Sequence, residues 1–314
     1  MNNETIEVSD SNILSSEPVI SVLMITYNHE KYITQTLDSI LSQETGYSYE
    51  VVIGEDCSTD KTREIIEFYQ KKHPDKIRLL ISKGNVGVNK NFDRTYTHCR
   101  GQYIAICEGD DVWDDKSKLQ KQVDFLSTNP EYCVAFHDAC TIDEGGEVIN
   151  PSLLNGTGRD FSKDELLMTV ILPTLTICFR NQLGALPYES MLVTNLDSFL
   201  ISMFGEHGKA KYIEAISPAL YRHHSGGIWS GLAKERKAIL TSTTFYWLSV
   251  YHAKKARQKL ASNFACAAIG SIAKSTSVSR VSLLMCFLSI VFPDFRLFLK
   301  KIKNILFSSK DKYS

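Results

Sequence analysis

The 314-residue sequence lacks several patterns that mark well-known protein classes. Its eight cysteines include no CxxC pair and most lie in apolar segments, so we expect free, buried thiols and a reducing compartment. The first twenty residues are polar and acidic, which does not match a signal peptide. The best candidate for a membrane span, residues 281–292, is shorter than the roughly 20 apolar residues that a span needs. We therefore expect a cytoplasmic protein.

Motifs of several enzyme classes are also missing. No G-x-G-x-x-G follows the first apolar segment, and there is no P-loop, HExxH or GxSxG. These absences exclude the common dinucleotide-dependent oxidoreductases, P-loop nucleotidases, zinc proteases and α/β-hydrolases. A sugar-nucleotide nucleotidyltransferase stays open as an alternative. Residues 25–32, however, do not supply the Gly-rich basic loop that such an enzyme has after its first strand.

Acidic residues are scarce in the C-terminal part of the chain. From Tyr221 onwards there are 16 Lys and Arg against 3 Asp and Glu, while the preceding part has 19 against 33. This asymmetry indicates contact with an anionic partner. No nucleic-acid recognition module surrounds the basic region, so nucleic acid is not an expected partner. Residues 295–307 mix apolar and cationic side chains as an interfacial helix does, which favours the inner membrane surface. A helix packed on the body is the alternative.

Apolar segments alternate with amphipathic segments through the first half of the chain. The apolar segments are near-continuous, as expected for strands buried on both faces of a parallel sheet. Strands that alternate with helices of 10–15 residues predict βαβ units. The predicted strands lie within residues 18–28, 49–56, 76–82, 101–111 and 131–138. The fold class is therefore α/β, with a mostly parallel sheet flanked by helices, and residues from Leu232 onwards add a helical region.

Polar and acidic side chains follow three of these predicted strands. They are Thr26, Tyr27 and Asn28 after the first, Glu55 and Asp56 after the second, and Glu108, Asp110 and Asp111 after the fourth. Ligands of such sheets bind beyond the carboxyl ends of the strands. Clustered carboxylates repel one another unless a cation lies among them, and carboxylate oxygens suit Mg²⁺ or Mn²⁺. These residues predict a divalent cation that binds a nucleotide diphosphate, although a lone Asp pair often occurs simply in a turn.

Four motifs in unbroken order, within residues 18–145, resemble the N-terminal half of the family 2 glycosyltransferases, which have the GT-A fold. They are the segments PVISVLMITYNHEKYITQTLDSILSQ, VVIGEDCSTDKT, GNVGVNKN and GQYIAICEGDDVW. The resemblance implies that a sugar is transferred, with inversion, from a nucleotide-diphosphate donor to an acceptor hydroxyl. It also implies a Mn²⁺ or Mg²⁺ cofactor and bacterial surface polysaccharide assembly.

The resemblance assigns roles to single residues. Thr26, Tyr27 and Asn28 lie beside the nucleotide, Asp56 binds the base with Glu55 beside it, and Ser58 follows in the same turn. Asp110 is the metal ligand of the family's Asp-x-Asp motif, Asp111 is next in line, and Glu108 replaces the first Asp. Cys57 stands where the family usually has Gly or Asn.

The resemblance continues more weakly beyond residue 150. Asp197 matches the catalytic base, although Leu196 replaces the family's usual acidic or Gly neighbour. In YRHHSGG, the loop that closes over the diphosphate, Arg222 and His224 are the expected donor contacts. The Gln-x-x-Arg-Trp motif of processive synthases is absent, which implies addition of a single sugar.

The predicted domain organisation has three parts. Residues 1–17 form a flexible leader, 18–228 form the transferase domain, and 229–314 form the basic helical region. Within the transferase domain, residues 18–145 bind the nucleotide and 146–228 carry the acceptor and catalytic half. The expected acceptor is a saccharide or a lipid-linked saccharide, because a cationic surface would hold the enzyme beside a lipid phosphate. A non-catalytic protein that binds sugar nucleotides is a further alternative.

Overall fold

The computed structural model describes residues 5–10, 13–14, 17–227, 229 and 231–273. The chain divides into two units, one ending at Gly231 and the other beginning at Leu232. The strands are β1 (Ile6–Val8), β2 (Ile20–Thr26), β3 (Tyr49–Glu55), β4 (Ile77–Ile81), β5 (Tyr103–Ile106), β6 (Tyr132–Phe136), β7 (Ala139–Ile142), β8 (Val148–Asn150), β9 (Cys178–Arg180), β10 (Lys209–Tyr212) and β11 (Ala219–Arg222). The helices are α1 (Ile33–Leu41), α2 (Thr62–Lys72), α3 (Val88–His98), α4 (Lys118–Thr128), α5 (Lys163–Leu167), α6 (Leu196–His207), α7 (Lys234–Lys254) and α8 (Gln258–Ala273).

The first unit is built around an eight-stranded sheet with the order β1-β4-β3-β2-β5-β9-β6-β10. Strands β4, β3, β2 and β5 are parallel neighbours, and β6 is parallel to β10. Strand β9 runs antiparallel to both β5 and β6. Every residue of β2 and β3 is buried, which explains their near-continuous apolar sequences. The predicted α/β fold, a mostly parallel sheet flanked by helices, is confirmed.

The strand order places β2 between β3 and β5. The chain moves from β2 to β3 and β4 on one side, then returns past β2 to β5 on the other. This reversal leaves a crevice at the carboxyl ends of the strands, where ligands of open α/β sheets bind. The segments that follow β2, β3 and β5 therefore meet at one edge of the sheet.

A second, three-stranded sheet brings a distant part of the chain to the same edge. Its order is β11-β7-β8, with β11 parallel to β7 and β8 antiparallel to β7. An isolated bridge between Val112 and Leu220 joins β11 to the segment that follows β5. The residues after β11 consequently lie beside the acidic loop after β5.

The N-terminal segment differs from the predicted flexible leader, because Ile6–Val8 pairs antiparallel with β4 at the edge of the large sheet. Glu7 supplies a reason, since its Oε1 lies 2.8 Å from Nε of the buried Arg78. Arg78 also pairs with the buried Glu50, and its contacts with Glu7 join β1 to the edge of the sheet.

The second unit is described as far as Ala273 and consists there of α7 and α8. The two helices pack through aromatic contacts, with the rings of Phe245 and Phe264 5.8 Å apart. No helix within the described ranges is long and apolar enough to cross a membrane. The predicted interfacial segment, 295–307, lies outside the described residues.

Candidate functional site

The loop after β5 approaches the end of β2 very closely. The N–H of Gly109 donates to the carbonyl of Ile25 over 3.1 Å, and the Thr36 hydroxyl donates to the carbonyl of Gly109, also over 3.1 Å. A Cβ at Gly109 would lie 2.6 Å from Oγ1 of Thr26 and 2.9 Å from Nδ1 of His29. Only glycine fits this approach, which sets the acidic side chains of the loop against the turn after β2.

Asp110 lies between two imidazoles. Its Oδ2 is 2.9 Å from Nε2 of His224 and 3.7 Å from Nε2 of His29. These residues come from the loop after β5, the segment after β11 and the turn after β2. Burial by itself would raise the pKa of Asp110, but the two imidazoles outweigh that effect and lower it. Asp110 is therefore a carboxylate at neutral pH.

The same three residues have the chemistry of a cation site. One ligand atom from each of His29, Asp110 and His224 lies within 4.8 Å of the other two. Burial lowers the pKa of His29 although Asp110 opposes this, so its ring is neutral at neutral pH and has a lone pair to offer. A carboxylate and two imidazoles fit a divalent ion.

Two further carboxyl groups, those of Glu108 and Asp111, interact with the charge of Asp110. Burial and then the charge of Asp110 raise the pKa of Glu108 to about 8, and its Oε2 has no hydrogen-bond partner among the described residues. Burial and the same charge raise the pKa of Asp111 well above its ordinary value. Three crowded acids with an unpaired buried oxygen are stabilised by a nearby cation, which agrees with the donor set of the cluster.

Arg222 is buried and directs its guanidinium at this loop. Nε donates to the carbonyl of Asp110 over 3.1 Å, and Nη1 donates to the carbonyl of Asp143 over 3.2 Å. Nη2 donates to Oε1 of Gln35 over 2.6 Å, and the backbone N–H donates to Oδ1 of Asp111 over 3.0 Å. These contacts hold the acidic loop in place. The predicted contact of Arg222 with the donor would therefore be an additional role for a side chain that already donates to three partners.

The turn after β3 forms the adjoining side of the crevice. Asp56 is buried, and its two oxygens accept from the N–H groups of Val86 and Gly87, each over 2.9 Å. Burial raises the pKa of Asp56, and these hydrogen bonds oppose the rise. Both contacts lie at the start of α3, so Asp56 fixes the loop that borders this side.

Glu55 and Ser58 shape the same turn. Glu55 is fully buried, accepts from the N–H of Ser58 over 2.5 Å, and forms an ion pair of 2.6 Å with Arg63. The Ser58 hydroxyl accepts from the N–H of Asn28 over 3.0 Å, which ties this turn to the one after β2. Cys57 adopts a positive φ of 62°, the conformation that explains why Gly or Asn usually occupies this place.

The remaining predicted residues lie at the rim of the crevice and in α6. Tyr27 is 40% exposed. Asp197 lies in the first turn of α6, where its Oδ1 accepts from the N–H of Ser198 over 2.7 Å. Burial raises the pKa of Asp197, and its charge contributes to the raised pKa of Glu108. Asp197 is therefore within electrostatic range of the acidic loop.

The sequence prediction omitted His29 and Gln35. A signal for His29 was present, since it directly follows the polar residues at the end of β2. No local signal pointed to Gln35, whose contact with Arg222 spans 187 residues.

Comparison with known proteins shows the family to which the chain belongs. The family model for glycosyl transferase family 2 matches residues 21–180, about half of the chain, and the protein belongs to this family. The predicted family resemblance is thereby confirmed. An uncharacterized protein of Mycobacterium tuberculosis is 32% identical over 250 residues, which cover 77% of this chain and 71% of that protein. The putative glycosyltransferase EpsE of Bacillus subtilis is 34% identical over 133 residues, or 42% of this chain and 47% of EpsE.

Solved structures agree on the fold. TarS 1-349 of Staphylococcus aureus, in complex with UDP-GlcNAc, aligns with a TM-score of 0.59 at 18% identity and covers 87% of this chain and 81% of that one. The mannosyltransferase PcManGT of Pyrobaculum calidifontis, in complex with GDP-Man and Mn²⁺, aligns with a TM-score of 0.56 at 20% identity and covers 95% and 88%.

Proposed function

We propose that this protein transfers a single sugar from a nucleotide-diphosphate donor to an acceptor hydroxyl, with inversion at the anomeric carbon. The observation that carries the proposal is the cluster of His29, Asp110 and His224 at the carboxyl ends of the strands, with the half-buried Asp197 in electrostatic range. Family membership supports sugar transfer. The UDP-GlcNAc and GDP-Man complexes of proteins with this fold support a nucleotide-sugar donor.

The two turns after β2 and β3 are the proposed nucleotide side of the site. Asp56 and Glu55 anchor the second turn, and Ser58 joins it to Asn28 in the first. Because these turns are held by internal hydrogen bonds, they are formed before the donor binds, which lowers the entropic cost of binding. Thr26 and the exposed Tyr27 complete this side.

Mn²⁺ or Mg²⁺ is the proposed cofactor, and Asp110 with the neighbouring imidazoles would hold it. A divalent ion there supplies positive charge for the departing diphosphate. Arg222 keeps Asp110 and Asp111 in position through its hydrogen bonds to the loop. Burial and the charge of Asp110 raise the pKa of Glu108 and of Asp111, and a cation bound nearby would stabilise both groups as carboxylates.

Asp197 is the proposed general base. Its Oδ1 is occupied by the N–H of Ser198, which leaves Oδ2 to take the proton of the acceptor hydroxyl. As that proton leaves, the acceptor oxygen bonds to the anomeric carbon and the bond from this carbon to the diphosphate oxygen breaks. A single displacement of this kind inverts the configuration. Burial raises the pKa of Asp197, and a stronger base accepts the proton more readily.

A lipid-linked saccharide is the proposed acceptor, with a cellular role in surface polysaccharide assembly at the inner face of the membrane. From Tyr221 onwards the chain has 16 basic and 3 acidic residues, and this positive charge supports attraction to anionic lipid headgroups. A relative that is 34% identical over 110 residues bears the name of a putative teichuronic acid biosynthesis glycosyltransferase, which supports polymer synthesis as the setting.

Asp197→Asn tests the catalytic proposal. A panel of nucleotide sugars with Mn²⁺ first identifies the donor by thermal stabilisation, and release of nucleoside diphosphate then measures turnover with an acceptor extract. Loss of the general base should lower turnover by about 10²–10⁴-fold, while the Kd of the donor stays within about twofold. Asp164→Asn, an exposed acid in the first turn of α5, is the matched control and should change neither value.

Two results would contradict the proposal. If the Asp197 variant loses donor affinity and turnover in equal measure, the residue has a structural role. If the wild-type protein binds a donor but releases no nucleoside diphosphate with any acceptor, it is a non-catalytic sugar-nucleotide-binding protein.

A further inference from the structure

We infer that His29 is a third protein ligand of the bound cation, beside Asp110 and His224, and that the two imidazoles make the site select a first-row transition ion over Mg²⁺. The inference rests on the proposed function, because it takes this cluster to be the cation site of the donor pocket. It concerns a residue that lies outside the acidic motif and was absent from the sequence prediction.

The spacing of the donor atoms supports a common ligand. Bonds of about 2.1 Å from an ion to nitrogen or oxygen place neighbouring ligand atoms about 3–3.5 Å apart in octahedral or tetrahedral sites. Oδ2 of Asp110 lies 2.9 Å from Nε2 of His224 and 3.7 Å from Nε2 of His29. The distance to His29 is too long for a hydrogen bond and is about 0.2 Å longer than the upper end of that ligand spacing, so a small shift of either side chain would bring both atoms to one ion.

His29 is held so that Nε2 faces the carboxylate. Its backbone N–H donates to Oγ1 of Thr62 over 2.7 Å, and its Nδ1 lies 3.2 Å from Oγ1 of Thr26. A ligating imidazole commonly donates its other ring N–H to an oxygen, which fixes the tautomer and the ring orientation. The Thr26 hydroxyl lies in reach of Nδ1, and in the tautomer in which it accepts from Nδ1–H the lone pair of Nε2 is directed at the cluster.

The donor set determines the preferred ion. Mg²⁺ takes oxygen ligands and retains several waters, whereas imidazole nitrogen suits first-row transition ions. A site with only carboxylates and waters would bind Mg²⁺ and Mn²⁺ with little discrimination. Two imidazoles among three protein ligands raise the affinity for the transition ion relative to Mg²⁺. His29 supplies one of the two nitrogen ligands.

The test uses His29→Gln, with His223→Gln as the matched control. His223 is adjacent to His224 in sequence but exposed, so its replacement should leave ion binding unchanged. Binding of Mn²⁺ alone is measured from the electron paramagnetic resonance signal of the free ion, and binding of Mg²⁺ by competition. The Kd for Mn²⁺ should rise at least about tenfold in the His29 variant, and the Kd for Mg²⁺ should change by less than about twofold.

Pulsed electron paramagnetic resonance of bound Mn²⁺ provides a readout that does not depend on activity. Two coupled nitrogens are expected in the wild-type protein and one in the His29 variant. Unfolding of both proteins in the presence of chelator establishes that the variant is folded. If the variant binds Mn²⁺ as tightly as the wild type, or if the wild type shows a single nitrogen, the inference is overturned.

Failure of this inference is distinguishable from failure of the proposed function. If the wild-type protein transfers sugar but binds Mg²⁺ as tightly as Mn²⁺, the proposed ion selectivity is wrong and the proposed transferase function is unaffected. A protein that binds Mn²⁺ through two nitrogens without releasing nucleoside diphosphate leaves the inference standing and overturns the reaction.

Discussion

Gly109→Ala should damage the site through a single methyl group. The added Cβ would lie 2.6 Å from Oγ1 and 2.8 Å from Cβ of Thr26, and 2.9 Å from Nδ1 of His29. Comfortable contact begins near 3.4 Å, so Thr26 must retreat by about 0.8 Å. Rotation of the Thr26 side chain cannot relieve the contact with its own Cβ. The end of β2, which is buried and paired with β3, or the acidic loop has to move.

The expected cost follows from that geometry. Overpacking a fixed position lowers the free energy of unfolding by about 1–3 kcal/mol. A displacement of this size at a reacting centre lowers turnover by roughly 10²-fold. Denaturant unfolding measures the first effect, and nucleoside diphosphate release measures the second. Gly84→Ala is the control, since its Cβ would meet nothing within 4 Å and its φ is not positive. Wild-type stability and turnover in the Gly109 variant would refute the close approach.

Two further variants test the surroundings of the site. Arg222→Lys keeps the charge but loses the guanidinium N–H groups that donate to the carbonyls of Asp110 and Asp143. The free energy of unfolding of the nucleotide-free protein should therefore fall by about 1–3 kcal/mol. Unchanged stability with weakened donor binding would instead assign the guanidinium to the phosphates. Burial lowers the pKa of Lys118 to about 8, below its unfolded value of about 10.4, so this group adds stability as pH rises between these values. Denaturant unfolding from pH 7.5 to 10 should show that the free energy of unfolding of the wild type rises more steeply than that of Lys118→Met, by at most about 1.4 kcal/mol per pH unit. An equal pH dependence of the two proteins would contradict the lowered pKa of Lys118.

The parallel half of the fold was predictable because its signals are local. Strands β2 and β3 are buried at every position, and burial on both faces demands the continuous apolar segments visible in the sequence. The position of Asp56 and Asp110 at one edge of the sheet was predictable for the same reason, since the carboxyl ends of parallel strands lie at the same edge. Strand β1 was not predicted, because three residues at a sheet edge carry little pattern and the decisive partner, Arg78, lies 71 residues away.

Some roles depended on contacts that no sequence pattern reports. Arg222 donates to backbone carbonyls, which every residue possesses, so its sequence position does not identify its partners. Its place beside the acidic loop depends on β11 pairing with β7 and on the bridge from Leu220 to Val112. These pairings join short strands that are far apart in sequence, and tertiary packing, not local sequence, stabilises them.

The sequence by itself determined which elements form and which carboxylates lie at the ends of the strands, because burial and periodicity act within a few residues. Only the tertiary structure decided which groups face Asp110. That choice depends on the close approach at Gly109, which brings His29 from the turn after β2, and on the path of β11, which brings His224 from 114 residues away. The contact of the two imidazoles with the Asp110 carboxylate depends on packing distances of a few tenths of an ångström, and no local sequence pattern encodes these distances.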